Sequence, residues 1–378
     1  MKKLNIGLVG FGFMGKTHLW SVQNLPFFYK GEELGCTAEV AALCSSSLPK
    51  AEAAVKEFRI PRAVSSPEEI LSDPSIDIVD ICTPNPSHYA FAKAAILAGK
   101  HVLCEKPLTV TAREAWELAD LAEERGLICG TVFNNRFLSP VIRARQLIEE
   151  NRLGRILSFD FSYKHNSCID PTRWVGWKQQ AAFGGGTLYD LGPHVLDLCR
   201  FLCGDPVAVA GRSQIAYDSH TMANGTAWMT DADEAFYMIC RTGSGAMGTV
   251  TVSKLIQGAN DELAFSIHGE KGSLSFSLMD PNYLNFYDAT AQGSPIGGVR
   301  GYTRIECVGR YPAPASGFPT VKAPQGWLRG HLGCMASYLS CVAERRPCSP
   351  SFADGAAVQT LLEAAVQSDR EGQEVLLC

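Results

Sequence analysis

The sequence predicts an α/β protein in two parts, a doubly wound parallel sheet followed by a domain built on an antiparallel sheet. Three observations predict it. The chain opens with an apolar run, Leu4 to Val9, that meets the glycine pattern Gly10-x-Gly12-x-x-Gly15. From Glu39 to Phe133, apolar runs of strand length alternate with helical patterns, as βαβ units require. From Val207 to Phe286 the pattern changes to short strands separated by turns such as Thr242-Gly243-Ser244-Gly245. A chain of 378 residues is long enough for two such cores.

The glycine turn is the first informative element. Gly10 permits a tight turn, Gly12 lets the backbone approach a pyrophosphate, and Gly15 lets the next helix lie close to the strand. Amides at that helix's N-terminus would face the phosphates. Gly10, Phe11, Gly12, Phe13, Met14 and Gly15 are therefore candidate dinucleotide-binding residues in a Rossmann-type domain.

Taken in order, the helix Met14 to Leu25 is followed by Pro26 to Thr37, which reads as a surface loop. Glu39 to Cys44 is the second strand. An acid that would bond the ribose hydroxyls is expected at its end; Ser45, Ser46 and Ser47 stand there instead, with Lys50 beyond. Ser45, Ser46 and Lys50 could bond a 2′-phosphate, and serine can also bond a ribose hydroxyl, so both NADP and NAD are open. Ser47 can alternatively cap the helix Pro49 to Phe58. A short helix, Pro67 to Leu71, precedes the strand Ile76 to Cys82. That strand runs into the turn Thr83-Pro84-Asn85 with His88, at the carboxyl edge of the sheet where ligands collect. Helix Tyr89 to Ala98 leads to the strand His101 to Cys104, which ends in Glu105-Lys106-Pro107. A charged pair directly after a buried strand points to function, and Thr83, Pro84, Asn85, His88, Glu105 and Lys106 are candidate cofactor-binding residues. Helix Thr111 to Arg125 and strand Leu127 to Phe133 complete the first domain, placed at 1–130.

The second domain, 131–378, starts with helix Pro140 to Asn151 and strand Arg155 to Tyr163. Residues His165 to Gln180 read as irregular. Their Arg173, Trp174, Trp177 and Lys178, with Tyr163, form a candidate wall for a polyhydroxylated ligand. Five strands follow: Val207–Tyr217, Glu234–Arg241, Gly245–Lys254, Glu262–His268 and Gly272–Ser277. Residues Ala289 to Pro324 read as an extended loop. Helices Gly330 to Arg345 and Asp354 to Arg370 close the chain.

Gly184-Gly185-Gly186 leads to Asp190 and His194, four residues apart and on one face if the segment is helical. Gly192 and Pro193 conflict with a helix, as is common at functional sites. Oxidation of an alcohol needs a base that titrates near neutrality, a carboxylate to orient it and a cation near the oxygen. His194, Asp190 and Lys106 supply these.

The Gly10–Gly15 turn, Thr83-Pro84-Asn85 with His88, the run Ala98 to Val102 leading to Glu105-Lys106-Pro107, and Gly184 to His194 together resemble the glucose-fructose oxidoreductase, inositol dehydrogenase and rhizopine-catabolism (Gfo/Idh/MocA) family. The resemblance implies an N-terminal Rossmann domain and a C-terminal α/β domain with a large, mostly antiparallel open sheet. It implies Lys106, Asp190 and His194 as the catalytic set, and Asn134 and Arg136 as substrate-pocket residues. It further implies a homo-oligomer, a dimer or tetramer, through that sheet, whose C-terminal helices could pack back on the first domain. The expected activity is NAD(P)-dependent oxidoreduction at a secondary hydroxyl of a sugar, glycoside or cyclitol. Two alternatives are a glycosidase that uses transient sugar oxidation with retained NAD, and a non-enzymatic NAD(P)-sensing regulator.

A net charge of -5 gives no footprint for nucleic acid. No apolar run reaches bilayer length, and the glycines after Met1-Lys2-Lys3 break any signal-peptide pattern. A cytoplasmic protein is expected. Its 14 cysteines form no C-x-x-C pairs, and Cys44, Cys82, Cys104 and Cys129 read as buried hydrophobes. Cys199 and Cys203 lack a completing ligand set, so no metal is expected.

Overall fold

The computed structural model describes residues 2–172, 174–311, 318, 320, 322–324 and 326–377. The chain forms two compact units: residues 1–137, 311–323 and 328–359, and residues 138–310, 324–327 and 360–378.

The first unit is a parallel sheet of β1 (Lys2–Val9), β2 (Cys36–Cys44), β3 (Arg62–Val64), β4 (Ile78–Ile81), β5 (His101–Cys104) and β6 (Cys129–Thr131). Their order is β3-β2-β1-β4-β5-β6, the Rossmann order that reverses direction between β1 and β4. The helices are α1 (Phe13–Phe28), α2 (Gly31–Leu34), α3 (Leu48–Phe58), α4 (Pro67–Leu71), α5 (His88–Leu97) and α6 (Ala112–Glu124). Because β1 is covered on both faces, Leu4, Ile6 and Leu8 pack on α1 through Leu19, Val22 and Leu25. Val9, with Val79 and Ile81 of β4, packs instead on Ala92, Ala95 and Ile96 of α5. Each fully buried Leu or Ile contributes roughly 1.5–3 kcal/mol.

Two expectations are corrected here, and one strand is new. The segment after Leu25 is not a loop: α1 continues through Pro26 to Phe28, α2 follows, and β2 already starts at Cys36. Pro26, in the last turn, costs α1 the hydrogen bond that an amide there would make to the Val22 carbonyl. Ser47 occupies the N-cap of α3 but its side chain makes no cap hydrogen bond. The strand β3, three residues long, follows α3 too closely and is too short to be read from sequence.

The second unit opens with α7 (Ser139–Glu149), β7 (Ile156–Lys164) and β8 (Trp174–Val175), then α8 (Thr187–Cys203). Strands β9 (Pro206–Gln214), β10 (Ser219–Met222), β11 (Ala227–Met229), β12 (Ala235–Thr242) and β13 (Met247–Ser253) follow. Next come β14 (Glu262–Gly269), β15 (Gly272–Ser277), β16 (Tyr283–Asp288) and β17 (Tyr302–Glu306). The last elements are α9 (Trp327–Glu344), α10 (Phe352–Glu371) and β18 (Val375–Leu376). Nine strands form one sheet, β17-β16-β15-β14-β7-β13-β12-β9-β18, in which only β7 and β13 pair in parallel. A small sheet, β11-β10-β8, stands apart. The expected extended loop after Ala289 is corrected, since it contains β17, paired with β16 from Tyr283↔Glu306 to Tyr287↔Tyr302.

α8 lies against β7, β12 and β13. On the opposite face of β12 and β13, Tyr237, Ile239 and Met247 are exposed. From Leu328 on, α9 belongs to the first unit, where Leu332, Met335 and Leu339 join the core of α1 and β1.

Candidate active site

In the first unit the glycine turn has the shape a pyrophosphate requires. Gly10 has φ +97°, and a Cβ there would sit 2.5 Å from the Cys82 carbonyl oxygen. A Cβ on Gly15 would come within 2.2 Å of the Gly10 carbonyl, so the helix approaches the turn more closely than alanine allows. Around Gly12 nothing lies within 4 Å of a built Cβ. No side chain caps α1 and no acid stands in its first turn. An uncapped positive helix end beside open backbone suits an anion. The dinucleotide therefore fits, with Phe13 and Gly12 exposed and Phe11 and Met14 half-buried around it.

At the end of β2, Ser46 and Lys50 are exposed, and Lys50 Nζ donates to Ser46 Oγ at 3.2 Å. Ser45 is half-buried. Thr83 is half-buried, Pro84 exposed, and Asn85 starts a 3₁₀ turn that leads into α5. His88 is fully buried between the carbonyls of Thr83, at 2.8 Å from Nε2, and Pro107, at 2.9 Å from Nδ1. Burial pushes its pKa below the ordinary histidine value, so a neutral ring donates to one of the two. The Lys106-Pro107 bond is cis. Lys106 is half-buried, and its backbone amide donates to Glu105 Oε2 at 3.0 Å.

Asn134 and Arg136 also belong to the first unit. Both are buried, and Arg136 donates to Ser349 Oγ at 3.0 Å and pairs with Asp354 at 3.2 Å.

In the second unit, Asp190 and His194 lie one turn apart on α8, both half-buried. The helix passes through Gly192 and Pro193, both buried. Its N-terminus, preceded by Gly186 at φ +110°, has no side chain of its own to cap it. Asp233 does this instead: its Oδ2 accepts from the Leu188 amide at 2.8 Å and its carbonyl from Thr187 at 2.9 Å. A Cβ on Gly186 would sit 2.3 Å from Asp233 Oδ1. Burial pushes the Asp233 carboxyl up to about 6 despite these amides.

Asp190 is held by two ammonium groups, Lys178 Nζ on Oδ1 and Lys254 Nζ on Oδ2, each at 2.9 Å. Lys254 is buried; burial opposes its charge, but Asp190 outweighs this and holds its pKa above the ordinary value. His194 meets the Tyr163 ring edge-on, with centroids 5.7 Å apart at 67°. The Tyr163 hydroxyl donates to Asp261 Oδ1 at 2.5 Å, and His165 Nε2 stands 3.0 Å from the same oxygen. Burial disfavours the Asp261 carboxylate, yet bonds from His165 and Tyr163 and the nearby His194 hold its pKa low.

Lys178 and Lys254 also line a narrow, water-sized pocket with Thr187, His220, Asp233 and Glu234. His220 Nε2 lies 2.6 Å from Glu234 Oε1. The pocket is completed by Trp228 and Thr230, and the buried atoms Thr187 Oγ1, Trp228 Nε1 and Thr230 Oγ1 have no hydrogen-bond partner among the described residues. Trp177 is half-buried, with Lys178 Nζ 5.8 Å from its ring. Arg173 and the side chain of Trp174 lie outside the described residues.

Lys254, Asp233, Asp261, Trp228 and Thr230 were not foreseen from the sequence. They come to the site across strand pairings, and no local pattern marks them.

The chain matches the family model described as oxidoreductase family, NAD-binding Rossmann fold, over residues 4–133. It matches the GFO/IDH/MocA C-terminal domain over 141–275. It belongs to this oxidoreductase family and is an NAD(P)-dependent enzyme. Among its relatives, levoglucosan dehydrogenase of Pseudarthrobacter phenanthrenivorans is 31% identical over 97% of this chain and 96% of that protein. A scyllo-inositol 2-dehydrogenase (NADP(+)) of Bacillus subtilis is 29% identical over 71% of this chain and 68% of its own. The solved structure of levoglucosan dehydrogenase in complex with NADH and L-sorbose superposes with a TM-score of 0.94 at 30% identity, covering 100% of both chains.

Proposed function

We propose that this enzyme oxidises a secondary hydroxyl of a sugar, glycoside or cyclitol, or reduces the matching ketone. The observation that carries this is the turn of α8 that sets half-buried His194 one turn from Asp190 and against the Tyr163 ring, whose hydroxyl is held by Asp261. An imidazole among fixed carboxylates suits removal of a proton from a hydroxyl. The names of the relatives, a levoglucosan dehydrogenase and an inositol dehydrogenase, support the same substrate class.

The first domain holds the dinucleotide through Gly10 to Gly15, Thr83 to Asn85, Ser45, Ser46 and Lys50, and the second binds the sugar. A bound nicotinamide supplies the hydride acceptor. His194 takes the hydroxyl proton, and Lys106 stabilises the negative charge that develops on the oxygen. Asp190, steadied by Lys178 and Lys254, and Asp261, through Tyr163, keep His194 among fixed charges. Tyr237, Ile239 and Met247, each about half exposed on one sheet face, favour a homo-oligomer built through that face. Among the described residues no helix is long and apolar enough to cross a membrane. Of the 13 described cysteines 12 are buried, as small hydrophobes in a reducing cytoplasm would be.

The test is a screen of levoglucosan, myo-inositol and simple glycosides with NAD and with NADP, read by formation of reduced nicotinamide. Turnover with one of them and its loss in His194→Ala supports the reading; normal turnover in His194→Ala refutes the assignment of the base.

A further inference from the structure

His18 stands three residues after Gly15 on α1 and is buried. Its Nδ1 faces both carboxylate oxygens of Asp80, at 2.9 and 3.0 Å, and its Nε2 faces Glu105 Oε1 at 3.1 Å. Asp80 lies in β4 and Glu105 directly follows β5, and both are buried as well. A neutral imidazole has one N–H, so one ring nitrogen would turn a lone pair toward a carboxylate in a dry site. The doubly protonated ring donates to both. Burial works against that charge, but the Asp80 carboxylate outweighs it and raises the His18 pKa well above the ordinary value. Glu105 shows the reciprocal effect: burial disfavours its carboxylate, yet the His18 bond and charge hold it at about 2. With both nitrogens so occupied, His18 has no lone pair for a metal, although Glu105 and His331 stand within ligand reach.

The bonds continue beyond the triad. Glu105 uses Oε1 for His18 and Oε2 for the backbone amide of Lys106. The helix that starts at the glycine turn is thus joined, through one imidazole and one carboxylate, to the peptide that carries Lys106.

We propose that His18 is a positioning residue: by bonding Asp80 and Glu105 at once, it ties the helix of the cofactor turn to the backbone of Lys106 and so fixes where that ammonium points. The proposal rests on the reading of Lys106 given above. A plain buried ion pair would stabilise the first unit and do nothing else, so the two roles separate by experiment. The groups that face His18 are Asp80 and Cys82 from β4 and the residue after it, Cys104 and Glu105 at the end of β5, and His331 and Cys334 from α9.

In His18→Gln the side chain is uncharged and its amide can donate to one carboxylate, so Glu105 loses its counter-charge and burial raises its pKa into the assay range. The expected result is a kcat reduced by up to ~10²-fold at acidic pH, as displacement of a reacting group by about 1 Å entails. Activity recovers in part as pH rises, because Glu105 is again ionised. NADH affinity, read by fluorescence titration, stays near the wild-type value. A kcat profile of wild-type shape, or kcat and NADH affinity lost in proportion, overturns the proposal. If His18→Gln does not fold, nitrogen-labelled histidine NMR decides on the folded His220→Gln protein, which removes the other buried carboxylate-paired histidine. One of the remaining rings must stay doubly protonated at pH values above the ordinary pKa of about 6.5; all rings titrating at or below that value overturns the two bonds to Asp80 and Glu105 on which the tie depends. Lys106→Ala separates the two claims. If it keeps wild-type turnover, the reading of Lys106 fails; if it is inactive while His18→Gln behaves as wild type, only the tie fails.

Discussion

Two ionic clusters in this protein mirror each other. In the first unit one cation, His18, is enclosed by two carboxylates, Asp80 and Glu105, with side-chain exposures of 3%, 1% and 6%. In the second unit one carboxylate, Asp190, is enclosed by two cations, buried Lys254 at 4% and half-exposed Lys178 at 48%. The first cluster is dry, shut and one bond removed from Lys106. The second is open on one side and lines a pocket. Dry clusters hold geometry and report chiefly as stability and pH dependence, because an unpaired charge left in them is costly. Open clusters meet the ligand and report chiefly as turnover.

The largest effects are expected where side chains meet the reaction. His194→Ala and Lys106→Ala should lower kcat by ~10²–10⁴-fold, the range of a lost general base, while NADH still binds; a titration of NADH beside the rate assay checks both. The next effect separates the two lysines on one carboxylate. Lys254→Met removes the buried partner of half-buried Asp190, which keeps only Lys178, and should cost up to about 3 kcal/mol of stability by urea unfolding. Lys178→Met, on the solvent side of the same Asp190, should cost less than about 1 kcal/mol. Equal costs would mean that burial does not distinguish the two bonds.

Two glycines sharpen the cofactor side. Gly15→Ala places a methyl within 2.2 Å of the Gly10 carbonyl and should lower the melting temperature as well as NADH affinity. Gly12→Ala meets nothing within 4 Å, so it should leave the melting temperature unchanged and weaken NADH alone. If Gly12→Ala binds NADH normally, the open space at this turn is not where the pyrophosphate lies.

The smallest effects lie in the pH dependence of stability, and the carboxyls of Glu105 and Asp233 should differ in sign. The folded-state pKa of Glu105 is depressed to about 2, so its contribution is present above the unfolded value of 4.5 and is lost as pH falls from there toward 2. His18 is raised, so its contribution is complete below 6.5 and fades as pH rises through its higher folded value. Asp233 runs the other way from Glu105. Its pKa is raised from 3.8 to about 6, so stability is lost as pH rises through that window. Asp233→Asn, which keeps an acceptor for the Leu188 amide, should abolish that loss and melt higher than wild type above about pH 6, by an amount worth roughly 1–3 kcal/mol.

The sequence made the backbone of both units legible wherever a local pattern carried it. The strands His101–Cys104 and Gly272–Ser277 have the bounds read from apolar runs between turn residues. The glycine turn was readable because each glycine meets a local steric demand. Elements that depend on partners far along the chain were not. β17 lies in a stretch rich in glycine and proline and exists because β16 offers it an edge. Lys254 at the end of β13 has the local pattern of an exposed strand-end lysine, and only the pairing of β13 with β7 and β12 carries it under α8, to a carboxylate 64 positions away. His18, 62 positions before Asp80 and 87 before Glu105, is invisible to periodicity for the same reason. Asp190 and His194, by contrast, needed only one helical turn, and α8 supplies it despite Pro193.

The central claim is net oxidation of a sugar hydroxyl with His194 as base. It is tested most directly by incubating wild type and His194→Ala with levoglucosan or myo-inositol and NAD or NADP, and following reduced nicotinamide together with the sugar product. The account predicts one reduced cofactor per oxidised sugar in the wild type and a loss of ~10²-fold or more in the variant. A glycosidic bond cleaved with no reduced cofactor released, or a His194→Ala enzyme as fast as wild type, would contradict it.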